Sequence, residues 1–350
     1  MDYLEQYRFW CENAPEKDRA ALAAMAGDEL ELKVSFGAEL AFGTAGIRGI
    51  MGLGCNKLNE YTVRRTAQGI AKWLKGTDLP QTCAIGYDSR NNSRYFTEIC
   101  ATALAEAGIK VHVYHELAPT PMLSYAVREL GCGCGIMVTA SHNAGAYNGI
   151  KCYGEDGCQM TDEPAAVVFR EISATPYFVL PTTTFEEELA AGRIENIPQS
   201  LWQAYYDRVM QEALRPEEVA KAELKVVYTP LHGTGNKPVR EMFRRLGVRV
   251  DVVKVQEEPD GNFTTCEYPN PETDAALNES YKVADETHPQ LILGTDPDCD
   301  RVAIAVPHDG KYIKLTGNEL GCVLLDYVLR TRTEQGDLPE GAECIKSIVS

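Results

Sequence analysis

A chain of 350 residues is long enough for two or more domains, and its 51 acidic against 34 basic side chains leave a formal charge of −17. That excess repels nucleic acid and anionic lipid, so neither is expected as a partner, and a phosphorylated substrate would need a locally positive pocket or a cation. No run of about 18 apolar residues is present, and the charged, amphipathic opening MDYLEQYRFWCENAPEKDRAAL does not read as a signal peptide.

Residues 60–75, EYTVRRTAQGIAKWLK, place Val63, Ala67, Ile70 and Trp73 or Leu74 on one helical face. TCAIGYDSR (82–90) is expected to begin as a strand. The helix SRYFTEICATALAEAGIK ends near Gly108, and VHVYHE (111–116) resumes as strand. PMLSYAVREL opens on a proline suited to a first helical turn, and CGIMVTASH follows as strand and loop. The polar stretch TASHNAGAYNGIK (139–151) is expected as one flexible loop that delivers side chains to a ligand.

Between about 159 and 200 the pattern weakens to a helix (TPYFVLPTTTFEEELAAG) and a connector (ENIPQS). A second unit begins with AELKVVYTPLHGTG, a strand closing on a glycine-rich turn, followed by the helix KPVREMFRRLG and the strand VRVDVVKV. PQLILGTDPDCDRVAIAV then supplies two strands around an acidic loop. A third unit starts at KYIKLTGNELGCVLLDYVLRTR, and a last strand is expected at 345–349. Alternating strands and helices make the fold class α/β. The boundaries expected are 1–198, 199–308 and an incomplete unit at 309–350, whose apolar helix lacks a sheet to cover and could favour self-association. Oligomeric state is not legible.

Twelve cysteines are scattered without a CxxC pair, Cys132 and Cys134 being separated by one glycine. Without a secretory signal they are expected as reduced, mostly buried thiols in a cytoplasmic protein, and the paired spacing of a zinc site is missing.

The acidic loop places Asp296, Asp298 and Asp300 at alternate positions. At 4 Å and an effective dielectric near 20, each like-charge pair costs about 4 kcal/mol, so convergence calls for a cation. All-oxygen ligands select a hard ion, magnesium first. An EF-hand would want glycine and glutamate where Arg301 and Pro307 stand. A solvated acidic turn is the plain alternative, but it leaves Pro297 and Arg301 unexplained.

Ser141 has three readings. A turn or cap serine is the commonest role for the residue type. A hydrolase nucleophile would need a G-x-S-x-G elbow, which is absent, and a base that the adjacent His142 cannot easily be. The third is a phosphoryl carrier beside a metal ion. A phosphoserine of about −2 with three aspartates totals about −5, against about +4 from a divalent cation, Arg301 and Lys151.

The stretches FGTAGIRGIMG (42–52), TASHNAGAYNGIKCYGEDG (139–157) and GTDPDCDRVAIAV (294–306) resemble three signature motifs of the α-D-phosphohexomutase family, in the family's order. GYDSR (86–90), YTPLHGTG (228–235) and LTGNE (315–319) fit as well. GTAG near the start is closer to the phosphoglucomutase, phosphomannomutase and phosphopentomutase branches than to phosphoglucosamine mutase.

The resemblance implies consecutive α/β/α mixed-sheet domains and a phosphosugar mutase, with glucose 1-phosphate to glucose 6-phosphate favoured and mannose or pentose phosphates next. Ser141 would be the phosphoserine, working through a bisphosphate intermediate, with a glucose 1,6-bisphosphate-type activator. Asp296, Asp298 and Asp300 would bind Mg²⁺, with an oxygen of phosphorylated Ser141 completing the set. Arg48 and Arg301 would stabilise the transferring phosphoryl group. Lys151 and His142 would move the hydroxyl proton or orient the loop; their plain alternatives are a surface lysine and a scaffold histidine. Asn143, Tyr147 and Asn148 are read as loop-shaping, and Ala144 stands where the family usually has proline.

Family members have four domains, so a sugar-recognition loop in the third and a phosphate-binding loop in the fourth are not expected in these 350 residues. Alone, the chain is expected to bind Mg²⁺ and to mutate sugar phosphates feebly or not at all. A metal-binding remnant without catalysis is the alternative of another class. A metal-dependent phosphatase has no second metal cluster or water-activating base to support it.

Overall fold

The computed structural model describes residues 2–44 and 46–346, and the chain divides after Pro198 into two compact units. The first opens with three short helices, α1 (Tyr3–Asn13), α2 (Glu16–Ala24) and α3 (Glu29–Phe36). Asp2 and Asp28 cap α1 and α3 by accepting from the Leu4 and Glu31 amides at 2.9 and 3.0 Å. These helices bury Trp10, Leu22 and Phe36 in an aromatic cluster with Tyr61 and Tyr177.

The rest of the unit alternates strand and helix: β1 (Ile47–Ile50), α4 (Glu60–Lys75), β2 (Thr82–Tyr87), α5 (Ser93–Glu106), β3 (Lys110–Val113), α6 (Thr120–Glu129), β4 (Cys134–Val138), β5 (Tyr147–Gly154), α7 (Asp162–Ser173), α8 (Phe185–Ala190) and β6 (Ile194–Asn196). They form one sheet in the order β1-β5-β4-β2-β3-β6. β4, β2, β3 and β6 run parallel, whereas β5 and β1 are added antiparallel at one side. Val63, Ala67, Ile70 and Leu74 of α4 have no exposure, as their spacing predicts. Both α5 and α7 pack on that helix, so its Arg64 and Arg65 are buried too, a consequence of neighbours that helical periodicity does not report.

Several elements of the first unit depart from the sequence reading. TPYFVLPTTTFEEELAAG (175–192), read as one helix, is helical only over Phe185–Ala190, because Pro176 and Pro181 break the stretch before it. The stretch 139–151 is not one loop, because its second half is β5, which fills the sheet between β1 and β4. The start of the connector ENIPQS (195–200) belongs instead to the edge strand β6 (Ile194–Asn196) beside β3.

Gly46 leads into β1 with φ +82°, and a β-carbon there would land on the Ile150 carbonyl oxygen of β5. Gly46→Ala is expected to cost about 2–4 kcal/mol, because strained φ and a backbone clash add, and a lowered urea midpoint would register it.

The second unit contains α9 (Gln199–Met210), α10 (Pro216–Lys221), β7 (Lys225–Thr229), α11 (Asn236–Arg245), β8 (Arg249–Val252), α12 (Asp274–Thr287), β9 (Leu291–Thr295), β10 (Val302–His308), β11 (Lys311–Lys314) and α13 (Gly317–Gln335). Its sheet runs β11-β10-β9-β7-β8, parallel through β8, β7 and β9 and antiparallel beyond. Val227, Val253, Ala284, Ile292 and Ala305 form a core. β11 lies on this second sheet, past the boundary drawn at 308, because Asp309 and Gly310, at φ +47° and +74°, make the two-residue turn of a β10–β11 hairpin. α13 is held at its start by a Thr316–Glu319 capping box and leaves Val323, Leu324 and Tyr327 exposed. Of the strand expected at 345–349, Ile345 and Lys346 are outside any strand and 347–349 lie outside the described residues, as does Ala45 of the GTAG stretch.

All twelve cysteines are free thiols, seven of them buried. Among the described residues no helix is long and apolar enough to cross a membrane.

Candidate active site

In each unit the chemistry-bearing loops follow the carboxyl ends of parallel strands, the usual ligand side of an open α/β sheet. In the first unit Ser141 lies three residues past β4, 3% exposed, with φ +54°, a left-handed backbone that a serine adopts only when its surroundings impose it. The surroundings are a polar network at the end of β2. The Ser141 amide donates to Thr139 Oγ1 at 2.8 Å, and the Thr139 hydroxyl donates to Asp88 Oδ2 at 2.6 Å. Asp88 also accepts from the Arg90 amide and the Ser93 hydroxyl. The Arg90 guanidinium donates to the carbonyls of Ser141 (2.5 Å), Asn143 (2.5 Å), Ala144 (2.9 Å) and Tyr147 (3.0 Å).

The other expected residues of this unit distribute as follows. His142 Nδ1 is 3.2 Å from Ser141 Oγ, within hydrogen-bond reach despite the constraint of adjacency. Arg48, exposed on β1, donates to Asn143 Oδ1 at 3.1 Å and so meets the serine loop through that asparagine. Lys151 is not a surface lysine: it is 5% exposed on β5, with Met137 of β4 as its register partner. Asn148 is fully buried and donates to the Asn91 carbonyl and Ser93 Oγ, tying the start of β5 to the start of α5.

The second unit brings Asp296, Asp298 and Asp300 together, with one oxygen of each inside a 4.8 Å span. Asp296 and Asp298 have no exposure, while Asp300 is exposed. Cys299 at φ +56° turns the loop back, so that the Asp300 and Arg301 amides donate to Asp296 Oδ1 at 3.1 and 2.9 Å. The glycine-rich turn after β7 braces this loop. A β-carbon on Gly233 would strike the Pro297 backbone, and the Thr234 amide donates to the Pro297 carbonyl at 2.8 Å. His232 is buried and held at both ring nitrogens, by the Glu258 carbonyl and Thr265 Oγ1, each at 2.8 Å.

Burial, then the charges of Asp298 and Asp300, push the Asp296 carboxyl well above the usual carboxylate range. Burial and Asp296 also push the Cys299 thiol up to about 12. Three crowded carboxylates with two buried form an all-oxygen donor set that suits a hard divalent cation such as Mg²⁺. Arg301 is exposed at the loop's exit.

Asp88, Arg90 and Thr139 were not singled out by the sequence reading. They lay within the quoted stretches GYDSR and TASHN without an individual role, and the local physical signal was a charged pair, Asp-Ser-Arg, directly after an apolar strand, where a buried acid needs a partner.

One α/β unit thus carries a serine loop tied to a buried ion pair, and the other a carboxylate triad. Comparison with known proteins then gives the family. Residues 39–176 match the family description "Phosphoglucomutase/phosphomannomutase, alpha/beta/alpha domain I" and residues 203–310 match "alpha/beta/alpha domain II". A phosphoglucomutase of Staphylococcus haemolyticus is 38% identical over 318 residues, and one of Staphylococcus aureus 35% over 327, covering 90% and 92% of this chain. The chain spans 57% of the length of each of these relatives. A Thermus thermophilus crystal structure assigned as a phosphomannomutase shares 25% identity and a TM-score of 0.71, over 84% of this chain and 62% of that one. A Burkholderia thailandensis member of the phosphoglucomutase/phosphomannomutase family, at 19% identity and TM-score 0.63, covers 83% and 59% and has the same fold. The chain belongs to the α-D-phosphohexomutase family.

Proposed function

We propose that this chain carries the phosphoryl-transfer machinery of a phosphosugar mutase, interconverting hexose 1- and 6-phosphates with glucose phosphates favoured. The observation that carries this reading is the convergence of Asp296, Asp298 and Asp300 within 4.8 Å in a relative of phosphoglucomutases. In the forward half-reaction the Oγ–P bond of phosphorylated Ser141 breaks as a bond forms from phosphorus to the free hydroxyl of a sugar monophosphate. The hydroxyl proton passes to a base, for which Lys151 and His142 are the candidates. The bisphosphate turns over in the site and returns its other phosphoryl group to Ser141.

Asp296, Asp298 and Asp300 would hold Mg²⁺, together with an oxygen of phosphorylated Ser141. Bound Mg²⁺ supplies positive charge beside the phosphoryl group. Arg48 and Arg301 add positive charge as the transferring group becomes metaphosphate-like. Under this reading a third domain begins after the β10–β11 hairpin, with α13, and a glucose 1,6-bisphosphate-type activator primes the serine. A mannose phosphate preference is the second reading, favoured by the Thermus likeness.

Incubation with glucose 1,6-bisphosphate and Mg²⁺, followed by intact mass and peptide mapping, tests the proposal. A single phosphoryl group on Ser141 is expected. A protein that stays unmodified, or is modified elsewhere, would refute it and favour a non-catalytic metal-binding role.

A further inference from the structure

We infer that Arg90 is a positioning residue for phosphoryl transfer, acting with Asp88 and Thr139 to lock the Ser141 backbone in the conformation that presents its hydroxyl. The inference rests on Ser141 being the phosphoryl acceptor and deepens that reading.

One guanidinium takes carbonyls from four positions of the loop, 141, 143, 144 and 147, spanning it from the serine to the first residue of β5. Arg90 is itself anchored: its Nε lies 3.3 Å from Asp88 Oδ2, and neither side chain is exposed. The same Oδ2 accepts from the Thr139 hydroxyl, whose oxygen accepts the Ser141 amide. Both peptide groups of Ser141 are therefore tied to one buried ion pair, its N–H through Thr139 and its C=O directly to Arg90.

The contacts run to the loop, whereas β4 and β5 on either side have their own ladders. A guanidinium is suited to this task because its donors form a rigid planar fork, which the compact ammonium of lysine cannot reproduce. In-line transfer depends on alignment, and a displacement of about 1 Å at the nucleophile costs on the order of 100-fold in rate. Arg90 does not touch the phosphoryl group in this scheme; it acts through the backbone of the residue that does.

The test compares wild type, Arg90→Lys and Thr139→Val for phosphorylation of Ser141 by glucose 1,6-bisphosphate, after circular dichroism and thermal melts establish folding. Arg90→Lys keeps a positive charge facing Asp88. Its labelling rate at saturating donor is expected to fall about 100-fold, with the half-saturating concentration changed by less than about 3-fold. Thr139→Val removes the hydroxyl that links Asp88 Oδ2 to the Ser141 amide, leaves Arg90 in place, and is expected to lose about 10-fold in the same way. It carries the test should the lysine variant not fold. Folded variants that label at the wild-type rate, or whose loss lies wholly in the half-saturating concentration, would overturn the inference while leaving the phosphoserine reading intact. A wild-type protein that takes up no phosphoryl group on Ser141 would overturn both.

Discussion

Ser141→Ala is expected to abolish phosphoryl uptake from glucose 1,6-bisphosphate, by about 10⁴-fold or more, the scale on which removal of a nucleophile acts. The substitution is a clean one. It deletes a single oxygen, while the amide that donates to Thr139 and the carbonyl that accepts from Arg90 both belong to the backbone and persist. Alanine tolerates the left-handed φ of +54° about as poorly as serine, so the folded state is expected to lose less than about 1 kcal/mol. Activity and stability should thus separate, with an unchanged melting temperature beside a lost phosphopeptide. An alanine variant that still gains one phosphoryl group at the wild-type rate would move the acceptor elsewhere in the chain.

The second large effect concerns the carboxylate triad and has two opposite signs. Without divalent ions, Asp298→Asn is expected to stabilise the second unit, because it removes a negative charge next to Asp296, whose carboxyl is already pushed up by burial and by that neighbour. With Mg²⁺ at about 100 times its dissociation constant, the wild type should gain about 2.7 kcal/mol, whereas the variant, lacking one ligand, should gain little. For a unit of this size that is an increase of about 5–10 °C in melting temperature, present in the wild type and missing in the variant. Differential scanning fluorimetry with and without Mg²⁺ reads both signs. A variant that melts below the wild type in chelator, or rises equally with Mg²⁺, would argue that the three carboxylates do not share an ion.

Both expectations are legible in large part in the order of the residues, since the signals involved are local. Asp296, Asp298 and Asp300 alternate between two apolar runs, so a single tight turn suffices to gather them. Ser141 closely follows a buried strand, and the residues after it are polar or small. The same locality explains the failure at 139–151: small and polar residues suggest a loop, yet 147–154 is a strand because β1 and β4 offer it two ladders. Its buried Asn148 is acceptable there because Asn91 and Ser93 satisfy it.

The sequence by itself determined the α/β alternation, the apolar face of α4, the proline opening of α6 and the residue types that reach the two loops, because periodicity, capping and charge repulsion act over a few positions. Only the tertiary structure decided that Arg90 reaches across 51 positions to the serine, that Lys151 is buried, and that Lys311–Lys314 closes onto the second sheet. These depend on strand order and register, which are set by the packing of segments distant in the chain and leave no periodic trace in either partner alone.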